Sequence, residues 1–326
     1  MKNEGVREPK TLQEAVIYFS DADNCLAYMV KHRWPGGVVC PTCGRTDATF
    51  LKNQRKWQCR SHHATRQFSA KTGTIFEDSP LGLDKWLTAT WMITNCKNGI
   101  SSYEIARDLG VTQKTAWFML HRIRKAMQTG SFQRKLAGHV EADETFIGGK
   151  ARFMHKDKRE RINRRGFGGK TVVVGVLERG GHVRTEVAPD RERNTLHMVV
   201  KQHVAPGSHL STDDCKGYWG LYGDYIHQII DHAETYVSGK VHTNGMENFW
   251  SLLKRGLKGT YVSVEPFHLF RYLDEQMFRY NNRATQKHFV SDSDRFQMVA
   301  SQFAGKRLTY QELTGKGMEK PRPEAV

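Results

Sequence analysis

Apolar and polar residues alternate through Val140, Glu141, Ala142 and Asp143, and the β-formers Thr145, Phe146 and Ile147 carry the segment to Gly148 and Gly149. A period of two ended by a Gly-Gly turn predicts a strand over 139–147 with Glu141, Asp143 and Thr145 on one face. Thr171-Val-Val-Val-Gly-Val-Leu177 is the near-continuous apolar run of a central strand. Gly180-Gly181 turns it back into His182–Val187, so three antiparallel strands precede a helix near 193–204 (Leu196, Val199, Val200, Val204). A fourth strand ends at Asp213. Helical spacing governs 11–33 (Ala15, Tyr18, Phe19, Leu26, Met29) and the stretch from Asp78-Ser-Pro80 to about Asn95 (Leu83, Trp86, Leu87, Thr90). It returns in 265–283 (Phe267, Phe270, Leu273, Met277, Tyr280), expected to close the core of the second half.

Between these lies a helical pair. Ile105, Ala106 and Leu109 supply one apolar face, Gly110 the tight turn and Thr112 an N-cap, while Trp117, Leu120 and Ile123 pack the second helix back. That is helix-turn-helix design, which aims Gln113, Lys114, Thr115 and Phe118 at a DNA groove and follows them with Arg122, Arg124 and Lys125.

Charge extends this picture. Lys plus Arg outnumber Asp plus Glu by 50 to 34 in 326 residues, a net +16 that calls for a polyanionic partner, most often nucleic acid. Between positions 150 and 170 stand nine basic residues, Arg164 and Arg165 among them, against two acidic ones. Beside a carboxylate site such a run would neutralise phosphates and add to the salt dependence of binding. The N-terminus has no apolar signal core, and no run approaches the roughly 18 apolar residues of a membrane span. Six cysteines without a secreted framework's spacing complete the expectation of a cytoplasmic protein.

Two constellations carry chemistry. Cys40-Pro-Thr-Cys43-Gly44 is a metal knuckle; Cys59 follows, with His62 and His63 just beyond, the arithmetic of a tetrahedral structural zinc site in which either histidine could be the fourth ligand. The short β-rich stretches around it read as a zinc ribbon. The second constellation is acidic. Asp143 stands mid-strand, where carboxylates are rare, Asp213 closes another strand, and Glu247 lies on a helix whose apolar stripe is Met246, Phe249, Trp250, Leu253 and Leu257. At about 100° per residue, Glu247, Ser251, Lys254 and Lys258 form a second stripe a quarter-turn away, with Asn244 beside it.

With Cys40-Pro-Thr-Cys43, Gly73-Thr-Ile-Phe-Glu-Asp-Ser79, Val140-Glu-Ala-Asp-Glu-Thr-Phe-Ile-Gly-Gly149, Thr212-Asp213, His242-Thr-Asn244, Glu247–Arg255 and Phe278–Arg283, the chain resembles bacterial insertion-sequence transposases with an N-terminal zinc ribbon and a DDE integrase domain. The resemblance runs from about residue 20 to 310. It implies an α/β, RNase H-like mixed-sheet catalytic domain behind the zinc ribbon and helix-turn-helix. The divisions expected are a helical segment (1–35), the ribbon (36–78), the helix-turn-helix (79–130), the catalytic domain (135–285) and a C-terminal helix with a disordered tail (286–326). By the family's spacing to Phe68, His63 joins Cys40, Cys43 and Cys59 on the structural Zn2+. Asp143, Asp213 and Glu247 would hold two catalytic Mg2+, with Mn2+ as a substitute, and Lys254 would meet a phosphate near the scissile bond. Asn244, then Asn248, stands next in line for the third role; Asp214 and Glu141 are the nearest substitutes for the aspartates. The substrate implied is double-stranded DNA, transposon ends and target, held by the groove-facing residues with Arg164, Arg165 and Arg255. Pairing two ends implies a dimer or larger assembly on the nucleoid. The rival readings are a DNA-binding regulator with a degenerate core and a metal-dependent nuclease.

Overall fold

The computed structural model describes residues 7–128, 134–149, 156, 169–230, 243–285 and 288–315. The chain divides into two compact units: Met1–Gln128 with Ala284–Val326, and Thr129–Arg283.

In the first unit the helical pattern over 11–33 resolves into two helices, α1 (Leu12–Ser20) and α2 (Ala22–Arg33). The break falls at Asp21, whose carboxylate accepts the N–H groups of Asp23 and Asn24 and so starts a new helix. A three-stranded antiparallel ribbon follows, β1 (Thr49–Leu51), β2 (Lys56–Gln58) and β3 (Gln67–Phe68). Next come α3 (Leu83–Asn95), α4 (Ser102–Leu109) and α5 (Gln113–Met127). Helix α3 starts at Leu83, later than its expected opening at Asp78, which sits at φ 58°. Gly110 makes the α4–α5 turn at φ 60°, a left-handed conformation that favours glycine, and the Thr112 hydroxyl accepts the Thr115 N–H as the N-cap of α5.

The C-terminal segment belongs to this core. Helix α9 (Asp292–Ala300) sets Phe296 against Phe19, Tyr28 and Trp91, and Phe303 packs on Phe76. The Ile75 amide donates to the Phe303 carbonyl. Arg122 and Arg124 are buried here. Arg122 donates to the carbonyls of Ile75, Glu77 and Leu308 and Arg124 is 1% exposed, so neither faces a groove. The last helix, α10, is Tyr310–Leu313.

The second unit is a mixed sheet between helices. Its strands are β4 (His139–Ile147), β5 (Thr171–Glu178), β6 (Val183–Ala188), β7 (His209–Asp213) and β8 (Ile226–Ile230), in the order β6-β5-β4-β7-β8. The first three run antiparallel; β7 and β8 lie parallel to β4. This is the RNase H-like mixed sheet that the resemblance implies. Strand β8 escaped the pattern, because only Ile230 of its five residues is buried.

Each face has its own core. Val140, Ala142, Val172, Val174 and Val176 pack with Leu196, Val199 and Val200 of α6 (Arg193–His203). Val173, Leu177 and Val183 pack with Met246, Phe249, Trp250 and Leu253 of α7 (Asn244–Gly259) and with Leu269, Tyr272, Leu273, Met277 and Tyr280 of α8 (Leu269–Asn281). Phe267 and Phe270 are exposed, contrary to the expected stripe. Phe267 falls in the single turn Pro266–His268 before α8, and the buried face of α8 begins at Leu269.

Candidate active site and metal centre

Strand alternation decides which way the acids of β4 point. Glu141 and Asp143 face α7, whereas Glu144 faces α6 with Ala142 and Phe146. The parallel register Glu141↔Ser211 between β4 and β7, continued two residues, brings Asp213 level with Asp143 at the end of the sheet.

Asp143 is anchored from both sides. Its Oδ2 accepts the Trp250 indole N–H at 2.9 Å and its Oδ1 the backbone N–H of Glu144 at 2.8 Å. Burial, and then the charges of Asp213 and Glu144, push its carboxyl up to about 7 in spite of those bonds. Directly across the ladder stands Gly175. A Cβ there would come within 2.4 Å of the Met246 methyl and 2.8 Å of the Trp250 ring. The missing side chain lets α7 lie close enough for Trp250 to reach Asp143.

Glu141, the other acid on this face, is 1% exposed and fully engaged. Its Oε2 accepts the Met246 backbone N–H at 3.0 Å and its Oε1 the Arg179 Nε–H at 2.8 Å. It is the carboxylate that an N-terminal helix turn favours, supplied from a strand. Gly245 makes room, since a Cβ there would sit 2.8 Å from the same Oε2. Glu141 therefore docks the first turn of α7 onto β4.

Two anchors, Met246 on Glu141 and Trp250 on Asp143, fix α7 along β4. Glu247 lies between them in sequence, exposed on the stripe that also carries Lys254. Lys254 is close enough to Asp143 for that charge to oppose the lowering of its ammonium by burial. Asn244 and Asn248 are exposed at the start of α7, and Asp214 is exposed beside Asp213. The structure thus draws Asp143, Asp213 and Lys254 into one electrostatic neighbourhood.

The first unit holds the second centre. Ligand atoms of Cys40, Cys43, Cys59 and His63 lie within 4.8 Å of one another. Cys40 Sγ is 3.5 Å from His63 Nε2, and Cys43 Sγ is 3.5 Å from Cys59 Sγ. Zn–S bonds of about 2.3 Å in a tetrahedron put ligand atoms roughly 3.8 Å apart, so these four groups fit a structural Zn2+ with every position filled by protein. Of the two adjacent histidines, His63 is the one in the cluster. The Arg45 backbone amide, followed by the neighbouring thiols and Ser61, pulls the Cys43 thiol down to about 6, toward the thiolate that zinc binds.

Residues 135–281 match the ISXO2-like transposase domain and residues 20–64 the transposase zinc-ribbon domain. Over 101 residues the chain is 31% identical to an uncharacterised transposase-like protein of Haemophilus influenzae, spanning 81% of that protein and 31% of this chain. This chain belongs to the insertion-sequence transposases. It is also 28% identical over 250 residues, 72% of this chain and 82% of its relative, to an uncharacterised protein in transposable element ISH50 of Halobacterium salinarum.

In this transposase-family chain the expected DNA-contact residues have mixed surroundings. Gln113 donates to Ser102 across the helical pair, and Thr115 serves the N-cap of α5. Lys114 lies over the Tyr310 ring, and Phe118 packs between Arg122 and Tyr310. Arg255 is exposed on α7, and Arg164 and Arg165 lie outside the described residues. Sequence reasoning missed the Trp250–Asp143 bond, the docking role of Glu141, and Glu144, whose place on the reverse face follows from the same alternation that located Asp143. Among the described residues no helix is long and apolar enough to cross a membrane.

Proposed function

We propose that the protein is a DDE transposase that hydrolyses one strand at a transposon end and joins the freed 3′-hydroxyl to target DNA. The observation that carries this reading is the pair of aspartates on adjacent parallel strands, Asp143 and Asp213, whose mutual repulsion helps hold Asp143 up at about 7 in a member of the insertion-sequence transposases. Such a pair is a poor neighbour for itself and a good one for a divalent cation. Hard carboxylate oxygens suit Mg2+, with Mn2+ as a substitute, and Glu247 supplies the third acid. Bound there, the two metal ions would lower the pKa of water and stabilise charge on the phosphate oxygens. The chain's own groups do the positioning. Trp250 orients Asp143, Glu141 and Gly175 set the height of α7, and Lys254 meets a phosphate beside the scissile bond. The zinc ribbon and helix-turn-helix bind the terminal repeats, with the protein acting as a dimer or larger assembly on nucleoid DNA.

The test is a joining assay with labelled end DNA and a supercoiled plasmid in Mg2+. Recombinant products are expected from the wild type. Asp143→Ala, Asp213→Ala and Glu247→Ala should each abolish cleavage and joining while end binding survives. Normal cleavage by the Glu247 variant moves the third role to Asn244. Nicks without joining would make the protein a nuclease, and end binding without either a regulator.

A further inference from the structure

Asp213 has a second set of neighbours, on the face of the sheet away from α7. Carboxylate oxygens of Glu144 and Asp213 and the Cys215 sulfur lie within 4.8 Å of one another. The Glu144 side chain is 5% exposed, and Arg191 pairs with it at 4.0 Å, the outer limit of an ion pair. Its Oε2 makes no hydrogen bond of standard geometry among the described residues, and what faces the carboxylate at close range is neutral: the hydroxyl of the fully buried Tyr218 and the Cys215 thiol. A buried carboxylate met at close range by a neutral hydroxyl and a thiol, beside a second carboxylate, is costly to ionise unless a cation binds there. The cluster opens onto a cavity of about 720 Å³ that also exposes Asp214 and Glu192, with Arg191, Arg193 and Lys216 around its wall.

We propose that Glu144, Asp213 and Cys215 form a second divalent-cation site that takes a thiophilic ion such as Zn2+ or Cd2+ in preference to Mg2+. Two carboxylates and a sulfur make a borderline-soft donor set, whereas Mg2+ demands an octahedron of oxygens and dehydrates reluctantly. Binding releases the thiol proton of Cys215 to solvent as the metal–sulfur bond forms. Since Asp213 is common to both faces, an ion held by Glu144 and Cys215 competes with Asp143 for it. That consequence rests on the proposed function; the binding itself does not.

The experiment uses the full chain with its zinc ribbon loaded. Titration with Cd2+ in excess Mg2+, followed by elemental analysis after dialysis, should find one equivalent of thiophilic metal beyond the ribbon's own. A cadmium–thiolate ultraviolet band should grow with it. Cys215→Ser should lose the extra equivalent and its share of the band. Glu144→Gln, nearly isosteric, should weaken the extra ion at least about tenfold. In the joining assay, Cd2+ should inhibit the wild type and spare Cys215→Ser, whose activity in Mg2+ alone should match the wild type. A wild type that takes up no extra metal, or a Cys215→Ser variant that binds it as tightly, overturns the site. A protein without joining activity leaves the metal count unchanged, so the two readings fail separately.

Discussion

At the residue scale the most informative group is Asp143. An unfolded aspartate titrates near 3.9, and here burial, reinforced by Asp213 and Glu144, lifts the carboxyl to about 7. A folded value above the unfolded one means that the protonated acid favours the fold. That contribution is full below about pH 4 and is lost as pH rises through about 7. At about 1.4 kcal/mol per tenfold change in proton affinity, ionising Asp143 costs the fold at most on the order of 4 kcal/mol, less whatever solvent and relaxation recover. Without added divalent cations, the second unit should therefore melt at lower temperature at pH 8 than at pH 5, and Asp143→Asn should close much of that gap. Added Mg2+ at pH 8 should raise the melting temperature of the wild type and leave the variant nearly unmoved. Identical pH profiles for the two proteins in calorimetry would refute the buried-charge account. The direction of this effect was not legible in the sequence. Alternation put Asp143 on one face with Glu144 beside it in sequence, but only the fold brings Trp250 and Asp213 to it.

At the element scale the site depends on how closely α7 lies on the sheet. Gly175 leaves room for Met246 and Trp250, and Gly245 leaves room for Glu141. Gly175→Val should cost about 1–3 kcal/mol in denaturant unfolding by overpacking. It should also shift the fluorescence of the tryptophan bonded to Asp143, and cleavage should fall further than stability explains. Glu141→Ala removes the acceptor of both Met246 and Arg179 and should cost about 3–5 kcal/mol. Glu141→Gln keeps an oxygen for Met246 and should recover part of that loss; equal loss from both variants would leave Glu141 no role in docking α7. Elements of this kind divide cleanly by legibility. The strand 139–147 and the stripe of α7 were readable because their periods are local and strong. Strand β8 was not, since an edge with four of five residues at least partly exposed carries no alternation. The burial of Arg122 and Arg124 was hidden for a related reason: a charge run looks the same whether it meets phosphates or the carbonyls of Ile75, Glu77 and Leu308. The role of Glu141 lay furthest from view, because the helix it docks begins about a hundred residues later.

At the scale of the whole molecule, the two units do not follow each other in sequence. The unit with the Cys-His cluster and helical pair is completed by residues that follow the second unit in sequence, and the joints are specific. Phe296 fills the space between Phe19, Tyr28 and Trp91, Phe303 packs on Phe76, and Arg122 donates to the Leu308 carbonyl. Lys306 donates to the carbonyls of Ala126 and Gln128 at the end of α5. Removing a buried phenylalanine costs about 3–5 kcal/mol by itself, which is a large part of the stability of an ordinary domain. A chain ended after Arg283 loses both phenylalanines and the carbonyl that Arg122 holds. It should fail to bind terminal-repeat DNA, and it should lose the unfolding transition of the first unit while the transition of residues 129–283 persists. Phe296→Ala should show the same pattern in milder form, with end binding falling as the temperature rises and cleavage chemistry on pre-bound DNA unaffected below the transition. Cys40→Ser attacks the same unit at its Cys-His cluster and should lose zinc and end binding together. If the truncated chain bound the repeats at full strength, the C-terminal segment would be an appendage, and the interleaving of the two units would have no bearing on DNA recognition.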